Sequence, residues 1–207
     1  MRRFDIHPTH PQRRLLQQAA EGVRGGALIA MPTDASYVLA CHLDDRAAVD
    51  RMRALRGIDD KHLLTLLCRD LSELAQYAQV SNQQFRFLKE WTPGAYTFIL
   101  PATKEVPRRL AHPSRKTVGL RVPAAPIVLE LLELLGEPVL CTTLILPGGG
   151  DPLTDPGDIA NAIGKQIDLL IDGGAGHLEP TTVIDMTGDE PMVTRVGLGP
   201  IDAMIKG

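Results

Sequence analysis

Aromatic side chains are scarce in this 207-residue chain: one tryptophan, three tyrosines and four phenylalanines, 4% in all. Proteins that hold single-stranded nucleic acid stack successive bases on aromatic rings, and so few rings do not make such a platform. Cysteine is scarcer still. Cys41, Cys68 and Cys141 are odd in number and far apart, so they form neither a disulfide framework nor a metal-like pair. Each lies in or beside an apolar run, which predicts buried, reduced thiols. No apolar run approaches the ~20 residues of a membrane span. Nor does an apolar core of about 7–15 residues follow Met1-Arg2-Arg3, so no signal peptide is expected and the location is expected to be cytoplasmic. The formal net charge of −3 leaves no overall basic coat. The sequence has no Gly-x-x-x-x-Gly-Lys-Ser/Thr loop and no Gly-x-Gly-x-x-Gly after a strand. Gly148-Gly149-Gly150 and Gly173-Gly174-Ala175-Gly176 read as turns. His7 and His10 have a metal-pair spacing, but Pro8 and Pro11 spoil a helical site, and no metal ligands are expected.

What is present is a globular composition, 44% hydrophobic and 23% charged. The length fits one large domain, or one with a small appendage, able to bury roughly 70% of its unfolded surface. Periodicity and punctuation predict helices over 12–24, from Asp44-Asp45 to about Arg56, after Asp70, after Ser81, over 125–135 and near 156–165. Strands are predicted at 27–31, 37–41, 63–67, 96–100, 117–122, 138–143, 168–171, 181–186 and 192–195. Residues 101–116, rich in proline and basic residues, read as a loop. Alternating strands and helices indicate α/β with a mixed sheet.

Charge is unevenly spread. Residues 104–121 hold Lys104, Arg108, Arg109, Arg115, Lys116 and Arg121 against Glu105 alone. Residues 151–190 hold nine carboxylates against Lys165. The basic stretch could attract phosphates. It could equally be a solvated loop.

The stretch Met31-Pro32-Thr33-Asp34-Ala35-Ser36-Tyr37-Val38-Leu39 follows the apolar run Ala27-Leu28-Ile29-Ala30. Pro32 should end that strand, presenting Thr33 and Asp34 where α/β proteins commonly place ligand groups. Taken alone it also fits an ordinary Asx turn. Four further segments follow: Thr92-Pro93-Gly94-Ala95-Tyr96-Thr97-Phe98, Val118-Gly119-Leu120-Arg121-Val122-Pro123, Pro180-Thr181-Thr182-Val183-Ile184-Asp185 and Arg195-Val196-Gly197. Together the five resemble, in order, the motifs of the YrdC/YciO family, best known for threonylcarbamoyl-AMP synthases. The resemblance is nearest to the YciO branch.

That resemblance implies a YrdC-like domain over 1–207, with a twisted mixed sheet, flanking helices and a concave site. It implies joining of L-threonine, bicarbonate and ATP, with magnesium on the phosphates, to give threonylcarbamoyl-AMP and pyrophosphate. It places Thr33, Tyr37, Arg121, Thr142, Thr182 and Arg195 in nucleotide or substrate binding, and Arg56, His62 and Thr143 in catalysis. The chain departs from the family pattern at reactive positions. Arg56 falls at a family lysine, Ile58 at an arginine, Asp59 at a proline and Ile145 at an asparagine. Ala35 falls where a threonine is common, and Val38 and Ala40 at glycines. Loss of a cation at Ile58 and of an amide at Ile145 should weaken polyphosphate binding and the synthase reaction. The rival expectation is a protein that binds double-stranded RNA, tRNA or the ribosome through Lys104, Arg108, Arg109, Arg115 and Lys116, without synthase activity.

Overall fold

The alternation of strands and helices resolves into one ten-stranded mixed sheet in a computed structural model that describes residues 1–205, the side chain of Ile205 aside. The strands are β1 (Arg2–Asp5), β2 (Ile29–Met31), β3 (Val38–His42), β4 (Thr65–Leu67), β5 (Tyr96–Pro101), β6 (Thr117–Arg121), β7 (Val139–Thr143), β8 (Leu169–Asp172), β9 (Thr182–Asp185) and β10 (Met192–Arg195). Across the sheet they run β1-β8-β2-β3-β7-β4-β6-β5-β9-β10. Pairs β1/β8, β2/β8, β4/β6 and β5/β9 are parallel and the rest antiparallel.

The helices are α1 (Arg13–Arg24), α2 (Arg46–Arg56), α3 (Leu71–Tyr77), α4 (Asn82–Trp91), α5 (Pro126–Leu135), α6 (Pro156–Ile163) and α7 (Asp202–Ile205). Their starts follow the capping residues. Asp45, Asp70 and Asp155 each accept a backbone N–H from three residues on, and Ser81 with Gln84 forms a full capping box. Gly57 and Gly136 end α2 and α5 in the left-handed conformation, which glycine adopts without a Cβ clash. Two elements were not expected. β1, with its sequence Arg-Arg-Phe-Asp, is too polar to read as a strand. It forms because it pairs in parallel with β8, Arg3 bonds Asp172, and Arg2 stacks over Phe4. α7 is a single turn. The 101–116 segment is irregular, as expected, apart from a bridge between Ala78 and Ala102 and the strand end Pro101.

Side chains two apart share one face of a strand, and the two faces are covered differently. One face packs in a continuous core with α2, α3, α4 and α6, with Leu39, Leu66, Phe98, Leu120, Leu140 and Ile184 almost wholly buried. The opposite face is covered by α1 and α5 over β1, β8, β2, β3 and β7, where Ile29, Met31, Val38 and Ile171 meet Leu16, Val128 and Leu131. That cover reaches as far as Leu67 at the end of β4, and beyond it, over Thr65 and strands β6, β5 and β9, a cavity of about 220 Å³ opens. All three cysteines are buried free thiols, as expected. Among the described residues no helix is long and apolar enough to cross a membrane.

Candidate functional site

The open half of the sheet supplies the floor by simple alternation. Thr65 on β4, Thr97 and Ile99 on β5, Thr143 on β7 and Val183 on β9 line the cavity. Register places Thr65 opposite Gly119 of β6. A methyl at Gly119 would stand 2.8 Å from Thr65 Oγ1, so glycine keeps β6 low between the two threonine strands. Thr181, just before β9, exchanges a 2.8 Å hydrogen bond with Thr97. Ser36, His62, Arg121, Thr142 and Arg195 complete the polar lining, and no carboxylate is among the lining residues.

Arg121 is only 3% exposed, and a buried guanidinium must be paired. It is held by Asp34, which also accepts the Ala124 N–H at 2.9 Å, and it donates more weakly to Thr33 at 3.4 Å. Its Nε is buried with no partner, and so is Ser36 Oγ. Both atoms belong to residues that line the cavity, and a buried polar atom without a partner costs stability. Arg195 donates from Nε and Nη2 to the Thr181 carbonyl at 3.1 and 2.8 Å. Burial pulls the Arg195 pKa down from its ordinary value. Burial likewise lowers His62, helped by the cations Arg56, Arg53 and Arg195 against the opposing pull of Asp59. Cys141 also faces the cavity. Burial pushes its thiol up to about 12, too high for a thiolate nucleophile at neutral pH.

The predicted site residues fall into three groups. Arg121, Arg195, His62, Thr142 and Thr143 line the cavity. Thr33 and Arg56 lie beside it with their polar atoms engaged. The Thr33 hydroxyl closes its own turn, donating to Ser36 O at 2.8 Å and accepting from Ala35 N at 3.0 Å. Arg56 is turned inward, donating to the Ile145 carbonyl and, at the limit of range, to Thr142 Oγ1 at 3.5 Å. Tyr37 and Thr182 require correction, because both belong to the opposite face. Tyr37 is fully buried in the core below, and its hydroxyl donates to Gly174 O at 2.7 Å. Thr182 is fully buried, donates to Gly199 O at 2.6 Å and accepts from Gly197 N. Its neighbour Thr181 is the one that reaches the cavity. Ser36, Thr65, Thr97 and Thr181 line the cavity without having been expected there.

The basic stretch lies away from the cavity. Lys104, Arg108, Arg109, Arg115 and Lys116 are exposed, and none lines the cavity. Their segment is anchored by Val106 and Leu110 in the core of the other face, and Arg109 bonds the Leu43 carbonyl at 3.1 Å. It joins β6 at Thr117, the end away from Arg121.

Magnesium finds no carboxylate among the cavity's lining residues, and hard cations favour such oxygens. No cluster of His, Cys, Asp or Glu suited to a metal occurs among the described residues. A second groove, about 920 Å³, lies between α4 and the β9–β10 turn, lined by Phe87, Trp91, Met192 and Met204 together with Glu90 and Asp189.

Comparison with known proteins bears on the same fold. A family model for the Sua5/YciO/YrdC domain, described as "Telomere recombination", matches residues 21–197. YciO of Escherichia coli (strain K12) is 52% identical over 198 residues, 96% of each chain. Its crystal structure superposes with a TM-score of 0.94, covering 98% of both chains. A threonylcarbamoyl-AMP synthase of Halorhodospira halophila is 31% identical over 82% of this chain and 89% of its own. The crystal structure of Pyrococcus abyssi Sua5 complexed with L-threonine gives a TM-score of 0.91 at 27% identity, covering all of this chain and 60% of that one. The chain belongs to the Sua5/YciO/YrdC family.

Proposed function

We propose that the protein binds an adenine nucleotide, with L-threonine or a related small substrate, in the open-face cavity, and that its activity is an altered or weak form of threonylcarbamoyl-AMP synthesis. One observation carries this reading. Arg121, Arg195, His62 and Ser36 line a cavity whose floor carries the hydroxyls of Thr65, Thr97, Thr143 and Thr181 and whose lining has no carboxylate. Such a lining suits an oxyanion and repels none of its charge. Family membership and the relation to named threonylcarbamoyl-AMP synthases supply the substrate class.

The chemistry asked of the chain is positioning. Arg121 and Arg195 hold a phosphate or carboxylate, and the threonine floor fixes the remaining polar groups. His62, held neutral near pH 7 by burial and nearby arginines, is suited to accept a proton at the rim. The turned-in Arg56 and the apolar Ile58 and Ile145 account for a weak rate, since fewer cations meet charge developing on phosphorus.

Calorimetry with ATP, AMP, L-threonine and a tRNA transcript in parallel tests the reading. AMP or ATP should bind, and Arg121→Gln should weaken that binding by about 1.5–3 kcal/mol, the range for a hydrogen bond to a charged group. Unchanged nucleotide affinity in a folded Arg121→Gln protein would sink this placement. The tRNA arm tests the second reading, which rests on the five exposed cations between 104 and 116.

A further inference from the structure

On the sheet face that packs with α2, α3, α4 and α6, the helical cover stops one strand short. α4 sits on β5, with Phe87 edge-on to Phe98 and Trp91 edge-on to Tyr96, and Gln84 donates to the Met186 carbonyl just past β9 at 2.8 Å. Beyond α4 the cover is the single turn α7, whose Met204 packs on the core. Val193, the residue of β10 on this face, stays only half-buried. The groove of about 920 Å³ fills that gap. Two of its lining residues, Met192 and Val196, are 59% and 65% exposed, and open apolar groups gathered in this way mark an interaction surface. The charges of the lining are all of one sign: Glu90, Asp189 and Glu190, with no lysine, arginine or histidine. None of the three carboxylates has a cation within ion-pair distance among the described residues.

We propose that this groove docks an amphipathic, cationic helix of a partner protein. Its apolar side chains rest on Phe87, Trp91, Val193 and Met204, and its lysines or arginines meet Glu90, Asp189 and Glu190. Charge selects the class of partner. Three unpaired carboxylates repel the phosphates of nucleic acid and of anionic lipid. A two-fold pairing of two copies through this patch would set the same carboxylates against each other. Shape selects a helix over a strand. β10 is four residues long, follows Pro191 and is bulged between Val193 and Arg195, so its free edge is a poor template for a further strand. The layer lacks a helix, and a helix is what covers the same face over β5. Two turns of a helix about 10 Å across occupy roughly 850 Å³, which matches the groove.

The inference stands apart from the nucleotide reading. Trp91 supplies its readout, since it is the one tryptophan of the chain and it lines the groove. The probe is a tryptophan-free synthetic peptide of about 18 residues, long enough to form a helix in water. It carries leucines at i, i+3, i+4 and i+7 and lysines and glutamines elsewhere. One control scrambles the same residues, and another replaces each lysine with glutamate. Titration of the lysine peptide should give a saturable change in Trp91 emission, with an affinity that falls as salt is raised. The scrambled peptide loses the apolar face and the glutamate peptide turns three attractions into repulsions, so each should bind more weakly by about tenfold or more. Asp189→Lys/Glu190→Lys, at exposed turn positions outside the core, should weaken the lysine peptide by about tenfold. No saturable change, equal affinity for the lysine and glutamate peptides, or binding indifferent to Asp189→Lys/Glu190→Lys would overturn the proposal. So would a dimer of the protein alone, seen by sedimentation and broken by Met192→Glu, which would give the groove to a second copy.

Discussion

The same sheet face does two jobs in two halves, and the residues at equivalent alternating positions differ accordingly. Under α1 and α5 they are Ile29, Met31, Val38 and Ile171, packed against Leu16, Val128 and Leu131. Over β4, β6, β5 and β9 they are Thr65, Gly119, Arg121 and Thr97. The covered half is held by apolar burial, worth roughly 25 cal/mol per Å² removed from water. The open half has no helix to bury apolar groups against, and it carries hydroxyls and a buried ion pair in their place. A polar residue at an inward-facing strand position thus marks where the fold leaves a face for a ligand.

Breaking the ion pair should have the largest effect. Asp34→Ala leaves Arg121 buried without its carboxylate and should cost about 3–5 kcal/mol of stability, read from a urea denaturation midpoint at unchanged m-value. Leu131→Ala, in the covered half, should cost a similar 2–5 kcal/mol or so through the cavity it creates. At temperatures where both remain folded, only the Asp34 variant should change nucleotide affinity. Equal effects on binding would dissolve the distinction between the halves.

The next test restores the cation and the amide that the family pattern carries where this chain has Ile58 and Ile145. Ile58→Arg with Ile145→Asn should raise threonine- and bicarbonate-dependent pyrophosphate release, and the pair should gain more than the two single changes added. Residues that share one site couple by about 0.5–3 kcal/mol. A wild-type rate already equal to that of authentic synthases would refute the premise. No gain in the double variant would place the cause of weak activity elsewhere.

Much of the fold was legible because its signals are local. Asp45, Asp70, Ser81 and Asp155 cap their helices through contacts three residues away. The strands of the two cores are short apolar runs between turn residues. β1 was not legible, since its polar sequence becomes a strand only through its long-range pairing with β8. The site was legible as a set of motifs but not as geometry. For Thr182 a signal was present. Thr182 shares strand parity with Ile184 and Met186, both buried in the core, and that parity assigns Thr181 to the opposite, open face. Thr97 reads the same way between Tyr96 and Phe98. The inward turn of Arg56 was not legible, because its acceptor is a backbone carbonyl 89 residues away.

A smaller effect concerns pH. His62 sits below its ordinary 6.5, with burial and Arg56, Arg53 and Arg195 lowering it and Asp59 raising it. A bound anion raises that pKa, so binding takes up a proton. Affinity for AMP should therefore increase as pH falls through the bound-state value and level off below the free-state value. His62→Gln should flatten this slope, and a slope that persists in the variant would assign it to another group. Smallest of all should be the effect of Arg108→Glu/Arg109→Glu on nucleotide binding, since that segment is anchored on the other face. The same variant should abolish any salt-sensitive tRNA binding. Loss of AMP affinity in it would show that the basic segment does reach the cavity.

A crystal structure of the protein with AMP tests the central claim most directly. The expected result is density for the phosphate against Arg121 Nε, Ser36 Oγ and Arg195, above the Thr65–Thr97–Thr181 floor. Nucleotide bound in the groove between α4 and the β9–β10 turn, or on the 101–116 segment, with the open face empty, would contradict it.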